Sequence, residues 1–410
     1  TGSASVVYTG GPWVGLITFA APPIGIILLY FIAGKVRKSN KVTVPEIMEA
    51  RYGKAASIIS ALCVMLAYVG VLATQLKAAA DIIVLLCASS GIEISHGLAL
   101  TICTALIAII TVGGGLVSVA YSDAISALIM IGGFFLAIPF LISVANSQGA
   151  VLPPEKTTLT GGMSGVEILG YFLPSLALML GDQNMLQRFA SAKNSDEAKK
   201  SNIGMFIGEI LVIISIVLVV TQAAKLYPTL ETPSNVIFQV AVDYLPLAFG
   251  ALVMCACMAF IVTTADSYLL VSVQTCVHDI GKTIRPQMPE RTEISLSRIF
   301  SIVLPLGALV IALYIHNAYN ILMFAWSFYA ASAGIPAFAA LFWKKATKTG
   351  VMAGLLGGFV VCVGWKLAGQ PFGLGAAVPG TVACGIALVV VSLATYKRAP
   401  SVFLKAEKQS

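Results

Sequence analysis

Charge is scarce in this 410-residue sequence: Asp, Glu, Lys and Arg make up 10% of it, where soluble domains carry about 25%. A chain so poor in solvating groups is not a soluble globular protein, and no basic surface for nucleic acid can be assembled from it. Histidine is scarcer still, with 3 residues and no HExxH pair to hold a catalytic zinc. The eight cysteines, Cys63, Cys87, Cys103, Cys255, Cys257, Cys276, Cys362 and Cys384, form no CxxC and no Cys/His cluster. They indicate neither zinc nor a disulfide framework, and inside apolar stretches they read as buried thiols. A GxxxxGK[ST] loop is also missing, so an ATP-driven pump has no support. An intramembrane aspartyl protease would need GxGD, and the chain reads Met179-Leu180-Gly181-Asp182. No enzyme is read here. No signal peptide, repeat period or low-complexity tract is visible. The sequence opens on Thr1 rather than Met, which reads as a fragment or as numbering that begins after an absent segment.

What is present is apolar length. Hydrophobic side chains make up 58% of the residues and the mean hydropathy is +0.93. A spanning helix needs roughly 20 apolar residues. The pattern predicts an all-α polytopic membrane protein with about eleven full transmembrane helices and an N-terminal half helix. The half helix covers 1–9, and spans follow at 11–34, 56–89, 95–113, 118–145 and 166–191. A second group runs 201–224, 246–280, 295–315, 318–341, 348–368 and 375–397. Between the first two spans a short polar helix is expected. Thr43 can cap it, Pro45 sits in its first turn and Glu46 completes a capping box.

The basic residues orient the bundle. Five connections carry 21 of the 25 Lys and Arg residues: 35–54, 188–200, 282–298, 344–348 and the tail from Lys397. The other side holds Lys156, Lys225 and Lys366, while Lys77 lies inside a span. Such asymmetry marks the rich side as cytoplasmic. It places residues 1–10 near the outer face and the C-terminus inside, and it accounts for the net charge of +7 without an acidic ligand.

Charged groups at membrane depth cost about 2.5–3.5 kcal/mol each on insertion scales, so each asks for a reason. Lys77 and Asp81 are four apart on one helix face and either neutralise each other or serve a ligand. Asp123 and Asp182 fall near the cytoplasmic ends of their spans, where interfacial solvation competes with function. Glu209 reads as structural. Asp266 stands mid-span in Thr263-Thr264-Ala265-Asp266-Ser267, four oxygen-bearing side chains in five residues. Back-bonding to the preceding turn explains one or two hydroxyls. The full set suits a small alkali cation, which needs several hard oxygens in place of water. In the sixth span, Pro174 and Gly181 around Ser175 mark a helix break, followed by Asp182-Gln183-Asn184. A break at that depth frees backbone groups to hold a substrate. Trp326, Ser327 and Tyr329 can line the same cavity.

These motifs resemble the sodium:solute symporter family. Gly114-Gly115-Leu116 with Tyr121-Ser122-Asp123 resembles its entry to the fifth core helix. Gly181-Asp182-Gln183-Asn184 with Gln187-Arg188 resembles its sixth-helix motif. Thr263-Thr264 with Ser267 and Asp279-Ile280 resembles its eighth-helix motif, and Pro45-Glu46 with Glu49-Ala50-Arg51-Tyr52-Gly53 its first inner loop. Four motifs in order cover essentially the whole chain.

The resemblance implies a LeuT-like 5+5 inverted repeat with two extra C-terminal helices, the earliest helices being absent from this sequence. It implies one transmembrane transporter domain over 1–397 and a cytoplasmic tail at 398–410. It implies Na+ as coupling ion, held at a main site by the Phe260 carbonyl and the Thr263 and Thr264 hydroxyls, with further ligands from the first helix before Thr1. Asp123, Asp266 and Ser267 match a second sodium site found in some members. Asp266 replaces the usual small residue there, which leaves a proton site open. Substrate contacts by family position are Gln75, Ser175, Met179 and Trp326, with Lys77 available to a carboxylate. The expected activity is sodium-coupled symport of a small organic solute by alternating access, the solute read as a carboxylate, vitamin or amino acid. A proton-coupled carrier of the same fold and an ion channel are the alternatives. The expected partners are the solute and the lipid bilayer of a bacterial or archaeal plasma membrane, with no nucleic acid and no obligate protein partner.

Overall fold

The computed structural model describes residues 2–39, 41–113, 116–315, 325–371 and 374–396. Among these every regular element is helical. In chain order they are α1 (Gly2–Phe19), α2 (Ala21–Ser39), α3 (Val44–Tyr52), α4 (Lys54–Ser89), α5 (His96–Gly113) and α6 (Leu116–Ser147). Next come α7 (Gly165–Gly181), α8 (Gln183–Ser191), α9 (Ser195–Leu226), α10 (Val236–Asp243) and α11 (Leu247–Gln274). A π-helical stretch, Thr275–Gly281, joins α11 to α12 (Lys282–Ile284). The chain continues with α13 (Glu290–Tyr314), α14 (Ile335–Phe342), α15 (Lys348–Leu367) and α16 (Ala377–Thr395). Residues 325–329 are helical and enter α14 through a second π-helical stretch, Ala330–Gly334.

Ten of the described helices are long and apolar enough to cross a membrane. The sequence pattern divides differently at one place. The half helix 1–9 and the span 11–34 form one line of helix, Ala4–Phe31, bent at Gly11. The span 318–341 is described only from residue 325. Gly114, Gly115 and the tail 398–410 lie outside the described residues. The outer surface is apolar, with Phe31, Ile109 and Leu128 each about two-thirds or more exposed. Helices that are apolar on their outward faces match a lipid surround.

Local chemistry explains the ends and breaks. Thr43 accepts the Glu46 N–H at 3.2 Å and caps α3 as expected. The Glu46 carboxylate takes the Val42 N–H at 2.8 Å, one residue earlier than a capping box requires. A complete capping box joins Ser164 and Glu167 at the start of α7. Gly11 breaks α1 with φ +85°, and a Cβ there would fall 2.0 Å from the Lys156 carbonyl oxygen, so only glycine fits. Pro12 follows and brings no N–H to the break.

The second break is polar. Helix α7 runs straight through Pro174 and ends at Gly181, and Asp182 separates it from α8. The expected break therefore falls eight residues after the proline. Gly181 is needed because a Cβ would lie 2.7 Å from the Gly334 Cα.

Helix α11 packs against α4, α6 and α13, and α2 against α9 and α7. On the face rich in Lys and Arg, Arg51 of α3 donates to the Ala339, Ala340 and Trp343 carbonyls at the end of α14. A guanidinium there satisfies the Ala340 and Trp343 carbonyls at the helix end and shares the Ala339 carbonyl with the Trp343 N–H. On the opposite face Lys156 is buried with its ammonium 4.4 Å from the Tyr8 ring centroid. Burial lowers the Lys156 pKa, with Glu155 acting the other way.

Candidate functional site

The break at Asp182 is built into a set of buried tyrosines. Asp182 caps α8 by accepting the Asn184 N–H at 2.9 Å. Tyr68, mid-way along α4, donates its hydroxyl to the Asp182 carboxylate and accepts the Gln183 N–H at 2.9 Å. Tyr329 donates to the Gly181 carbonyl. The Tyr68 and Tyr329 rings stack at 5.5 Å, and Tyr268 of α11 meets Tyr68 edge-on at 4.8 Å. The Gly181 carbonyl and the Gln183 N–H, both freed at the break, thus each have a partner on a different helix, as burial demands. On α8, one turn apart, Gln183 donates to Thr275 at 2.8 Å while its Oε1 has no partner among the described residues. Neither amide atom of Gln187 has one, and neither does the buried Trp326 Nε1. These are polar atoms held inside the bundle without satisfaction, the kind a ligand or water completes.

Helix α11 carries two oxygen groups. Thr263 donates to the Phe260 carbonyl at 3.2 Å and Thr264 to the same oxygen at 2.7 Å. Back-bonding therefore gathers three neutral oxygens at one point. One turn on, Thr111 of α5 donates to Asp266 at 2.6 Å. Ser267 donates to Asp123 of α6 at 3.2 Å, and Arg188 of α8 reaches both Asp123 and Ser267. Asp123 and Asp266 are therefore both committed to protein partners.

The five residues expected against substrate scatter. Trp326 stands with Tyr268 and Val71, next to the tyrosine set. Gln75 is half-buried on α4, two turns beyond Tyr68. Ser175 bonds back to the Tyr171 carbonyl at 2.9 Å. Met179 lies on Gly25 of α2. Lys77 donates to the Ala312 carbonyl of α13 at 3.4 Å, on a face apart from the break. Asp81 does not neutralise it by direct contact, because His96 holds Asp81 at 2.8 Å. Sequence reasoning passed over Tyr68 and Tyr268. The signal for them was a tyrosine in mid-span, whose hydroxyl must find a partner when buried.

The sequence model of the sodium:solute symporter family matches residues 1–358. The high-affinity proline transporter PutP of Bacillus subtilis is 25% identical over 386 residues, 89% of this chain and 79% of that protein. A sodium/proline symporter of Haemophilus influenzae is 26% identical over 443 aligned positions, covering 99% of this chain and 86% of its own length. Among solved structures, a substrate-bound, outward-open Na+-coupled sialic acid symporter superposes with a TM-score of 0.72 at 16% identity, covering 98% of this chain and 90% of that one. A nucleobase-cation-symport-1 family transporter in a closed conformation gives 0.63 at 11% identity, over 100% and 92%. At those identities the two structures speak to the fold alone, and both are LeuT-fold transporters.

Proposed function

The chain belongs to the sodium:solute symporter family, and from that premise we propose which residues hold the ion, which face the solute and what the solute is. The protein is a multi-pass membrane transporter that couples the entry of a small organic solute to sodium. The coupling ion sits against the Phe260 carbonyl and the Thr263 and Thr264 hydroxyls. The observation that carries this reading is the convergence of those three uncharged oxygens at one point of α11. Hard neutral oxygens replace the hydration of a monovalent cation without trapping it, so the ion can bind outside and leave inside.

The solute is a zwitterionic, proline-like amino acid. Relatives named as proline transporters support that class over a vitamin or a larger carboxylate. Its place is beside the break at Asp182, where the partly buried Tyr268 and Trp326 offer aromatic faces to an ammonium group and an apolar ring, backed by the fully buried Tyr68 and Tyr329. Trp326 Nε1 is a spare donor for the carboxylate. Gln75 borders this set; Ser175, Met179 and Lys77 serve the helices around it.

The whole of 1–397 acts as one transporter domain. Its basic face is cytoplasmic and residues 1–10 stand near the outside of a bacterial or archaeal plasma membrane, a placement that the 21 basic residues on one side support. Sodium stabilises the outward-open arrangement, and sodium and solute together favour closure. The coupling is that difference in affinity between states.

The test is uptake of labelled L-proline by liposomes carrying the full chain, under an inward gradient of Na+, K+ or choline at constant ionic strength. Saturable uptake with Na+ alone is expected. Uptake indifferent to the cation would remove the ion assignment. Sodium-driven uptake of other solutes with none of proline would remove the substrate class and leave the ion assignment standing.

A further inference from the structure

Asp123, Asp266 and Ser267 carry the sequence pattern of a second cation site, yet one point among them already holds a positive charge. A single nitrogen of Arg188, Nη2, bonds the Asp123 carboxylate and lies 3.2 Å from the Ser267 hydroxyl. Ser267 in turn donates to the same Asp123 oxygen at 3.2 Å. A cation bridging that carboxylate and that hydroxyl would have to take the position of Nη2. Arginine stays protonated at any working pH, so its charge does not come and go. The arm is also aimed: Arg188 Nε donates to Asn184 at 3.3 Å, four residues earlier on α8. The fourth member, Asp266, accepts from Thr111.

We propose that Arg188 is a tethered cation that fills the second ion position, so that the chain binds and couples one sodium ion instead of two. The inference rests on the main-site reading given above. A mobile ion at this position would have to push a guanidinium off its carboxylate, with two positive charges otherwise a few ångströms apart. The arginine is tethered to the same chain, so its pairing with the carboxylate is intramolecular and does not depend on the sodium concentration. It also ties α8, the inner half of the broken helix, to α6 and α11 whether or not sodium is present.

Equilibrium binding of radioactive sodium to the purified full chain, with sodium-dependent thermal stability as a second readout, tests it. The parent is expected to bind one ion per chain. Arg188→Gln keeps hydrogen-bonding capacity without charge and is expected to bind two, returning to one when Asp123→Asn is added. Arg188→Lys stays at one. If Arg188→Gln does not fold, Asp123→Asn in the parent decides instead: a stoichiometry still at one supports the tethered cation, and a fall relative to the parent overturns it. A parent that binds two ions, or an Arg188→Gln protein that binds one, overturns it as well. In the second case loss of that ion in Thr264→Ala would leave the main-site reading intact. A parent that binds none, with Arg188→Gln binding one, would keep the tethered cation and remove the main site.

Discussion

Along α11, Phe260, Thr263 and Thr264 bring three uncharged oxygens together using only bonds within their own helix. One turn further, Asp266 and Ser267 are held from outside, by Thr111 of α5, Asp123 of α6 and Arg188 of α8. The first group asks nothing of its neighbours and remains able to meet a small cation. The second has spent its charge on the protein. A carboxylate at membrane depth is too unfavourable to leave waiting, so it recruits a partner and becomes structural. Neutral hydroxyls carry no such penalty and can be left for a ligand.

The comparison breaks most readily at its neutral half. Thr264→Ala removes one oxygen ligand of the ion, a loss taken as about that of a hydrogen bond to a charged group, roughly 1.5–3 kcal/mol. The half-saturating sodium concentration for uptake is expected to rise on the order of 10–100-fold, with the thermal unfolding temperature in K+ unchanged. An unaltered sodium requirement would remove these oxygens from the ion site.

The charged half should answer in stability instead. Thr111→Val keeps the shape at α5 and leaves Asp266 without its donor, at about 1–3 kcal/mol. Its unfolding temperature is expected to fall while the sodium requirement stays within about twofold of the parent. A sodium effect larger than the stability effect would return Asp266 to the ion chemistry.

Tyr68→Phe tests the break itself. One hydroxyl serves Asp182 and the Gln183 N–H, so its loss leaves two buried groups short. The expected result is a loss of about 1–2 kcal/mol of stability together with a lower maximal uptake rate. The smallest effect is expected at Lys77, whose amine donates to the Ala312 carbonyl at 3.4 Å, its one hydrogen bond among the described residues. Lys77→Met conserves volume and removes a buried charge, and both uptake and stability should lie within about 1 kcal/mol of the parent. A strong loss of uptake there would bring Lys77 back against the substrate.

The lipid-facing length of the chain was legible because hydropathy is a local property: nine of the ten described spans coincide with predicted ones to within six residues, and the tenth, Ala4–Phe31, joins the predicted half helix to the span after it. The α3 cap at Thr43 was legible for the same reason, and so was a break near Gly181. Its exact place was not, since proline weakens a helix but neighbours decide whether it stops. Here α7 passes Pro174 and yields where Tyr68 and Tyr329 can receive the freed groups and Gly334 lets Gly181 pack closely. Likewise the spacing of Lys77 and Asp81 suggested a pair, and His96, on another helix, claims Asp81.

Composition and periodicity alone determined that this chain is a helical membrane bundle, since apolar runs of spanning length leave no other way to satisfy the backbone in lipid. The order of its motifs pointed to a symporter and to the oxygens of residues 260–267. Tertiary structure decided which of those oxygens are at liberty. Whether Asp123 meets sodium or Arg188, and whether Asp266 meets an ion or Thr111, depends on side chains contributed by α5, α6 and α8. Electrostatic partnership across helices is set by distance in space, on which separation along the chain has no bearing.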